Sequence, residues 1–397
     1  MQTLAPDSEA ELLDMVRAAA ADRTPMAVQG GGTRQGVGRP VDALLRLDLS
    51  GLAGIRSYEP QELVLTAWAG TPMVEVEAAL EGWGQHLAFE PPDLRALLGS
   101  RGTPTLGGAL GSNFAGPRRI LAGASRDHFL GFAGVSGRGE AFKAGGKVVK
   151  NVTGYDLSKL MAGSWGTLAV LSEVTIKVLP RPERACTVVV SGLDTAPAVA
   201  AMTTALAAPA EVSGASWLPA RMAALVGLAM EPALLLRLEG SGPAVAWRAR
   251  ALSAMLERYG PISVLEDEAT AAVFQQLRDV APLAADPSRT VWRISLPPTA
   301  GAAFLAALPQ AEGFIDHGGA LVWLSVPDAP DGGAAQVRAA LEPHGGHALM
   351  VRGAADVRAQ GEPFQPLAAP LMALTARVKA SFDPLGVLNP GRMYRQI

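Results

Sequence analysis

The sequence predicts an α+β protein with more than one domain, and three observations support this fold class. The chain has 397 residues, which at roughly 150 residues per domain suggests two or three domains. Strand-like runs and helix-like periodicities both occur before residue 180 and after residue 182. The intervening Pro180-Arg181-Pro182 resists both a helix and a central strand, so we place a domain boundary after residue 182.

The N-terminal domain, residues 1–182, is expected to begin with a helix. Ser8 and Glu11 have the spacing of a capping box, and Leu12 and Val16 follow at helical period. The apolar run 26–28 then indicates a strand that leads directly into a glycine loop.

Two later strands in this domain flank another predicted helix. Residues 63–69 have the composition of a strand, and Thr71 as N-cap with Pro72 at the first helical position begins a helix that stops at Gly84. Residues 170–178 alternate between two faces, which is typical of a strand with one buried side.

The middle of the chain, residues 183–360, is predicted to be a separate α+β domain in which helices cover a sheet. Its alanine-rich helical stretches, which alternate with short β-rich runs, are 195–208, 243–259 and 332–342. The C-terminal segment, 361–397, is predicted to form a helix through Lys379 followed by a turn at Asn389-Pro390-Gly391.

Composition and charge exclude several classes of protein. The net charge of −3 leaves no basic excess to neutralise a nucleic-acid backbone. The single cysteine, Cys186, excludes an internal disulfide framework, a cysteine-ligated zinc site and a self-contained iron–sulfur cluster. Neither a signal-peptide pattern nor an apolar stretch long enough to span a membrane is present, so we expect a cytoplasmic protein.

Glycine is concentrated in three segments of the N-terminal domain. Residues 30–40, 99–116 and 131–166 hold five, six and nine of the 44 glycines. Glycine allows positive φ and lets main-chain N–H groups approach an anion such as a pyrophosphate, although each cluster alone is equally consistent with simple turns. Neither a Rossmann GxGxxG fingerprint nor a Walker A loop fits these segments.

Read together, four separated segments resemble the FAD-binding domain of the vanillyl-alcohol oxidase / p-cresol methylhydroxylase (PCMH) superfamily. They are AVQGGGTRQ (27–35), TLGGALGSNFAGPRR (105–119), KNVTGYDLSKLMAGSWGTLAVLSEVTIKVLPRP (150–182) and FDPLGVLNPGRM (382–393). The resemblance implies a PCMH-type two-lobed FAD-binding domain over 1–182, an inserted α+β cap or substrate domain over 183–360, and a segment, 361–397, that returns to the flavin.

Further segments are similar to those of the FAD-binding subunits of bacterial glycolate oxidase complexes: GPRR (116–119), VWRISLP (291–297) and IDHGGALVWL (315–324). This resemblance implies an oxidoreductase subunit that assists in oxidising glycolate, a small 2-hydroxy acid, to glyoxylate. It further implies two partners, a larger FAD-containing subunit and an iron–sulfur subunit, and at most peripheral contact with the inner face of the cell membrane through those partners.

The resemblance also assigns cofactor-binding residues, position by position. The first loop would wrap the FAD pyrophosphate, the second segment would form the other wall, the third would lie near the flavin and adenine, and Asn389 would reach the isoalloxazine. The residues are Gly30, Gly31, Gly32, Thr33, Arg34, Gln35, Leu106, Gly107, Gly108, Ser112, Asn113, Gly116, Lys150, Asn151, Gly154, Tyr155, Val170 and Asn389.

Lys150, Arg118 and Arg119 are candidate cations near the flavin, each equally consistent with a solvated surface charge. Family members with covalent FAD often carry a histidine in the first glycine loop. Residues 28–38 contain none, so non-covalent FAD is expected.

No metal site and no catalytic base are assigned. His344 and His347 supply only two ligands on a Gly-Gly segment, which favours a solvated loop over a metal site.

The sequence lacks the metal-binding and catalytic histidine motifs of related 2-hydroxy-acid dehydrogenases, and only His317 and Arg293 stand as candidates for acting on a hydroxy acid. We therefore expect a partner-dependent subunit. The alternatives are an autonomous FAD-dependent 2-hydroxy-acid dehydrogenase and a scaffold subunit that has lost tight FAD binding.

Overall fold

The computed structural model describes residues 1–147 and 154–397. Its first lobe contains a parallel three-stranded sheet of order β1-β3-β2 and an antiparallel five-stranded sheet of order β4-β5-β9-β7-β8. A short β6-β10 pair accompanies them. The strands are β1 Gln2–Leu4, β2 Met26–Gln29, β3 Leu45–Asp48, β4 Ile55–Glu59, β5 Val64–Trp68, β6 Gln85–His86, β7 Phe129–Ser136, β8 Ala141–Gly145, β9 Ala169–Lys177 and β10 Leu179–Pro180.

Helices pack against these sheets and connect their strands. They are α1 Glu9–Ala21, α2 Met73–Glu81, α3 Arg95–Leu98, α4 Leu106–Ser112, α5 Arg119–Ala122, α6 Ser125–His128 and α7 Leu157–Met161. The predicted Ser8 cap is present, since the Ser8 hydroxyl accepts a hydrogen bond from the Glu11 N–H at 3.3 Å. The predicted Thr71 cap is wrong: the Thr71 hydroxyl binds the carbonyl oxygens of Gly54 and Trp68 instead, and α2 begins at Met73.

The second lobe is built on one antiparallel eight-stranded sheet of order β14-β11-β13-β12-β16-β17-β15-β18. Its strands are β11 Arg184–Ser191, β12 Val212–Leu218, β13 Ala233–Gly240, β14 Ile262–Glu266, β15 Thr290–Ser295, β16 Glu312–Asp316, β17 Leu321–Val326 and β18 His347–Arg352. Its helices are α8 Thr195–Ala207, α9 Ala220–Leu225, α10 Gly242–Leu256, α11 Asp267–Arg278, α12 Gly301–Ala306, α13 Ala334–Leu341 and α14 Ala355–Gln360.

Both faces of the eight-stranded sheet are buried, which explains its nearly continuous apolar strands. Along β13, Leu234 and Leu236 point into the core under α8 and α10, while Leu235 between them belongs to the opposite core. First-lobe side chains, including Leu97 and Phe114, enter that opposite core. The two lobes therefore share a hydrophobic core, which fixes the position of the second lobe over the first.

The C-terminal segment packs against the first lobe. Helix α15, Ala369–Phe382, contributes Val378 and Phe382 to the first-lobe core, and Leu388 forms an isolated parallel bridge with Met26 of β2. Among the described residues, no helix is both long and apolar enough to cross a membrane.

Candidate cofactor site

The loop that follows β2, residues 30–35, forms one wall of a cavity in the first lobe. Gly31 lies so close to Thr103 that a Cβ atom would overlap the Thr103 carbonyl oxygen, so only glycine allows the loop to pack there. The N–H groups of residues 31–34 donate no hydrogen bond to any other residue in the described ranges. Because main-chain donors are rarely left unpaired, these groups form a set that an anionic oxygen would satisfy.

Helix α4 forms the facing wall. The Thr105 side chain caps it by accepting a hydrogen bond from the Gly108 N–H at 3.3 Å, and the Gly107 N–H donates to the Ala69 carbonyl oxygen at 2.8 Å. A Cβ atom at Gly107 would lie 2.8 Å from that same oxygen. Glycine at 107 thus lets the start of α4 approach the end of β5, and the helix presents Gly111 and Ser112 to the cavity.

Arg34 connects the two walls. Its guanidinium donates hydrogen bonds to the carbonyl oxygens of Gly108 and Pro92, each at 2.8 Å, and to the Ser112 hydroxyl. Burial lowers the pKa of Arg34 to about 10. Since all three partners are uncharged, Arg34 keeps its positive charge available to an anion in the cavity.

Arg46, Arg358 and Arg392 line the same cavity. Arg392 donates to the Arg34 carbonyl oxygen at 2.8 Å, and Arg358 donates to the carbonyl oxygens of Gly38 at 2.9 Å and Gly353 at 3.1 Å. Burial, with a smaller contribution from Arg358, lowers the pKa of Arg392 to about 10. Within the described part of the chain, Arg34, Arg358 and Arg392 form no ion pair with a carboxylate, and Asp93 acts on Arg34 only at longer range. No acidic residue lines the cavity there, so the cavity carries a net positive charge.

Asn389 holds the returning C-terminal segment to the cavity wall. Its Oδ1 accepts a hydrogen bond from the Val28 N–H at 2.8 Å, and its Nδ2 donates to the Trp165 carbonyl oxygen at 2.8 Å. The turn before it is held by the buried Lys379–Asp383 pair at 2.6 Å, because Asp383 also accepts hydrogen bonds from the N–H groups of Val387 and Leu388. The amide of Asn389 thus joins three segments that are distant in sequence.

The complete cavity, here called the cofactor cavity, has an empty volume of about 1360 Å³ including its opening to solvent. Its lining includes Ala27–Gln35, Leu49, Ala69, Gly107, Gly108, Gly111, Ser112, Ser164–Gly166, Ala169, Leu171, Arg358, Asn389 and Arg392. Unpaired main-chain donors and the guanidiniums of Arg34, Arg358 and Arg392 suit a diphosphate, and the aliphatic wall residues suit the ring systems at its two ends. The residues present therefore fit FAD.

The structure brings most of the expected first-loop and α4 residues together at this cavity. Gly30, Gly31, Gly32, Thr33, Arg34, Gln35, Gly107, Gly108, Ser112 and Asn389 all line it. Leu106 and Val170 are instead fully buried beneath the wall, where Val170 lies between the lining residues Ala169 and Leu171.

Other expected residues lie outside the cofactor cavity. Asn113 accepts hydrogen bonds from the Ser125 hydroxyl and the Arg126 N–H, and Gly116 packs against Glu90. Gly154 is exposed, and Tyr155 is 94% exposed. Lys150 and Asn151 lie outside the described residues.

A second cavity, here called the interlobe cavity, lies between the two lobes and shares Ser112 and Trp165 with the first. It is lined by Ser112, Asn113, Phe114, Arg119, Ile120, Gly163, Trp165, Arg293, Ser295, Leu296, His317, Ala320, Leu349, Phe364 and Met393. The shared residues make it an extension of the cofactor cavity toward the eight-stranded sheet.

The interlobe cavity brings together the two candidates from the second lobe, Arg293 and His317, with Arg119 of the first. Arg118 lies elsewhere: it pairs with Glu90 at 3.0 Å and with Glu239 at 2.7 Å. Arg118 is therefore neither the flavin cation nor the solvated surface charge that the sequence allowed, because it is largely buried and paired with two carboxylates. Sequence reasoning could not make this distinction, since Arg118 and Arg119 are adjacent and carry the same charge.

The histidine pair considered for metal binding occupies an edge of the second lobe. His344 ends a short 3₁₀ helix, and His347 is the exposed first residue of β18. Across the described ranges, no group of three or more histidine, cysteine, aspartate or glutamate side chains has the arrangement of a metal site.

The chain is similar along nearly its whole length to glycolate oxidase subunit GlcE of Escherichia coli, with 38% identity over 98% of this chain and 99% of that protein. The chain belongs to the GlcE family. Residues 2–145 also match the model of an FAD binding domain, which confirms FAD as the cofactor predicted for this GlcE-family chain.

A second relative of this GlcE-family chain is glycolate oxidase subunit GlcD of Bacillus subtilis, at 31% identity over 45% of the chain and 37% of the relative. Among solved structures, p-cresol methylhydroxylase matches 98% of the chain with a TM-score of 0.72, and 4-ethylphenol oxidase from Gulosibacter chungangensis matches 99% with a TM-score of 0.73. Their identities are 13% and 12%, so the similarity concerns the fold, and it confirms the predicted PCMH-type α+β class.

Three arginines of the site carry information that sequence reasoning missed. Arg34 was assigned as a main-chain donor, whereas the structure adds its guanidinium, and Arg358 and Arg392 were not selected at all. The one available indication was the position of Arg392 directly after the Asn389-Pro390-Gly391 turn. Nothing in the sequence around Arg358 indicates that it reaches the first lobe.

Proposed function

We propose that this chain is the FAD-binding subunit of a multi-subunit glycolate oxidase, which converts glycolate to glyoxylate, and that it holds FAD without a covalent bond. The full-length similarity to glycolate oxidase subunit GlcE carries the proposal. The cofactor cavity supports it independently, since its unpaired N–H groups and guanidiniums suit the FAD diphosphate.

Bound FAD would supply a two-electron acceptor, and the protein would supply its binding and orientation. The N–H groups of residues 31–34 and the Arg34 guanidinium would hold the diphosphate, because Arg34 connects the glycine loop to α4 on the facing wall of the cavity. Trp165 lines both the cofactor cavity and the interlobe cavity, and its ring packs edge-on against Phe114 and Phe364 with centroids 5.6 and 5.8 Å away. This aromatic group would separate the cofactor from bulk water next to the interlobe cavity.

Electrons would leave through partners, a larger flavin subunit and an iron–sulfur subunit. Cys186 cannot ligate a cluster by itself, and it is buried in β11, where burial raises the pKa of its thiol to about 11. Any contact with the inner face of the cell membrane would then be peripheral and made through those partners.

An autonomous FAD-dependent 2-hydroxy-acid dehydrogenase is the second candidate, and the interlobe cavity favours it. Arg119, Arg293 and His317 meet beside the cofactor cavity, where a hydroxy acid would need both a cation and a hydrogen-bonding group. A scaffold that has lost FAD is the third alternative, and the cofactor cavity argues against it.

Purification of the chain alone, and together with its flavin and iron–sulfur partners, tests the proposal. We expect a two-band flavin absorbance from the chain alone, with all flavin released into the supernatant on acid precipitation. Strong glycolate-dependent dye reduction should require the partners. A colourless chain would favour the scaffold, and strong dye reduction by the isolated chain would favour the autonomous dehydrogenase.

A further inference from the structure

The interlobe cavity contains cationic groups that form no ion pair with a carboxylate among residues 1–147 and 154–397. Arg293 extends from β15 and lies over the Phe114 ring at 5.7 Å, with the Ser295 hydroxyl as hydrogen-bond partner at 3.2 Å. Burial, with a further contribution from the nearby Arg119, lowers the pKa of Arg293 to about 10. Arg119 reaches the cavity from α5, and burial lowers its pKa too.

Such an arrangement costs free energy unless an anion completes it. A guanidinium removed from water is stable when a carboxylate or phosphate pairs with it, and two that face one cavity also repel each other. Within the described residues, no carboxylate lies within ion-pair distance of either Arg119 or Arg293. Two carboxylates act on these arginines from beyond ion-pair distance, Asp127 on Arg119 and Asp316 on Arg293. The Asp316 carboxylate accepts hydrogen bonds from the Ser216 hydroxyl and the His317 N–H, both at 2.8 Å, and its Oδ2 lies 3.8 Å from His317 Nε2.

His317 adds a neutral hydrogen-bonding group to the same cavity. Its backbone has φ 51°, an unusual conformation for a residue other than glycine, and its Nε2 lies 3.1 Å from the Gly116 carbonyl oxygen. Since a carbonyl oxygen only accepts, we assign the proton of the neutral ring to Nε2, which leaves Nδ1 as the acceptor. Burial, together with Arg293 and Arg119, keeps the pKa of His317 well below its usual value.

The remaining lining limits what can enter. Phe114, Leu296, Leu349 and Phe364 are apolar, so polar interactions are confined to the arginines, His317 and a few hydroxyl and amide groups. A small ligand with one carboxylate and one oxygen on the adjacent carbon matches this distribution, because a guanidinium binds a carboxylate through two parallel hydrogen bonds.

We propose that the interlobe cavity is a binding site for a small monocarboxylate with an oxygen at C2, in which Arg293 and Arg119 bind the carboxylate and His317 contacts the C2 oxygen. The proposal rests on the proposed function and deepens it. It places a hydroxy-acid site in this chain, adjoining the cofactor cavity at Ser112 and Trp165.

Isothermal titration of the FAD-loaded chain with glycolate, acetate and ethylene glycol tests the proposal. We expect saturable binding of glycolate, weaker binding of acetate and none of uncharged ethylene glycol. Arg293→Gln should weaken glycolate binding at least tenfold, with Arg293→Lys intermediate. The exposed Arg221→Gln, in the same lobe, is the matched control and should bind like the wild type. No glycolate binding by the wild type, or equal binding by Arg293→Gln, would overturn the proposal.

His317→Asn separates the two contacts, because asparagine tolerates positive φ. It should weaken glycolate binding several-fold and leave acetate binding unchanged. An equal loss for both ligands would contradict a contact with the C2 oxygen.

Failure of this cavity assignment can be distinguished from failure of the proposed function. A chain that holds FAD and assembles with its partners but does not bind glycolate refutes only the cavity assignment. A chain that lacks FAD refutes the proposed function. Titration of that FAD-free chain with glycolate still tests whether the interlobe cavity binds a hydroxy acid.

Discussion

Arg118 of the first lobe and Glu239 of the second form a two-point ion pair across the interlobe contact, with Nε–Oε2 at 2.9 Å and Nη2–Oε1 at 2.7 Å. Glu90 joins them by pairing with both Arg118 and Arg237 at 3.0 and 2.8 Å. Each lobe thus contributes one arginine and one glutamate to a nearly buried cluster of four charges, in which each arginine pairs with a glutamate of the other lobe. Removing one member leaves the others unbalanced away from water.

Replacement of Arg118 should therefore destabilise the protein. We expect Arg118→Gln to lower the free energy of unfolding by about 3 kcal/mol, as for a broken buried ion pair. Urea denaturation followed by circular dichroism measures the change. Arg181→Gln is the control, because its pair with Glu81 is more than half exposed on both sides and should contribute less than about 1 kcal/mol. Equal effects of the two substitutions would show that the interlobe ion pair contributes no more to the free energy of unfolding than an exposed pair does.

The same charges predict how stability responds to acid. Burial acts to raise the pKa of Glu239, but Arg237, Arg118 and hydrogen bonds outweigh it and lower that pKa from 4.5 to about 2. Folding thus favours the ionised carboxylate. Its stabilisation is complete above pH 4.5 and is lost as the pH falls toward 2.

Glu239→Gln removes this contribution. Between pH 4.5 and pH 2 the free energy of unfolding should fall less steeply in Glu239→Gln than in the wild type. Urea titrations at several pH values measure the slope, and the exposed Glu81→Gln should retain the wild-type slope. An unchanged slope in Glu239→Gln would mean that its pKa is not depressed in the folded protein.

Arg34 should contribute to FAD affinity. A charge-assisted hydrogen bond contributes about 1.5–3 kcal/mol, so Arg34→Met should weaken FAD binding by roughly ten- to a hundredfold. Arg34→Lys should recover part of the loss, since it keeps the charge. Quenching of FAD fluorescence on titration into FAD-free protein measures the affinity. Arg221→Gln is again the control, and an Arg34→Met protein with wild-type affinity would place the diphosphate elsewhere.

Gly31 should be intolerant of any side chain. In Gly31→Ala the new Cβ would overlap the Thr103 carbonyl oxygen, so the 30–35 loop must move and FAD affinity should fall at least tenfold. Gly82→Ala is the matched control, because its Cβ meets nothing closer than 3.6 Å and the residue has helical φ. Retention of FAD by both variants at equal affinity would mean that this packing does not shape the site.

Local patterns predicted the elements that depend on neighbours in sequence. The Ser8 cap is present, and the strand at 170–178 lies within one residue of its expected limits. The helix before Asn389 is also present, but it continues three residues beyond Lys379, to Phe382. The start of α2 was misplaced because the Thr71 hydroxyl found acceptors in a neighbouring loop and strand end. A competing contact from a distant segment cannot be read from the local pattern.

The sequence by itself determined the fold class, the glycine-lined cofactor walls and the family, because backbone preferences and glycine positions are local and four motifs agree in order and spacing. Only the tertiary structure decided the roles of the charged residues. Arg118 is neutralised, whereas its neighbour Arg119 faces a cavity with Arg293 and His317. The physical reason is that the energy of a charge depends on its desolvation and its counter-charge, and both are set by segments that folding brings together.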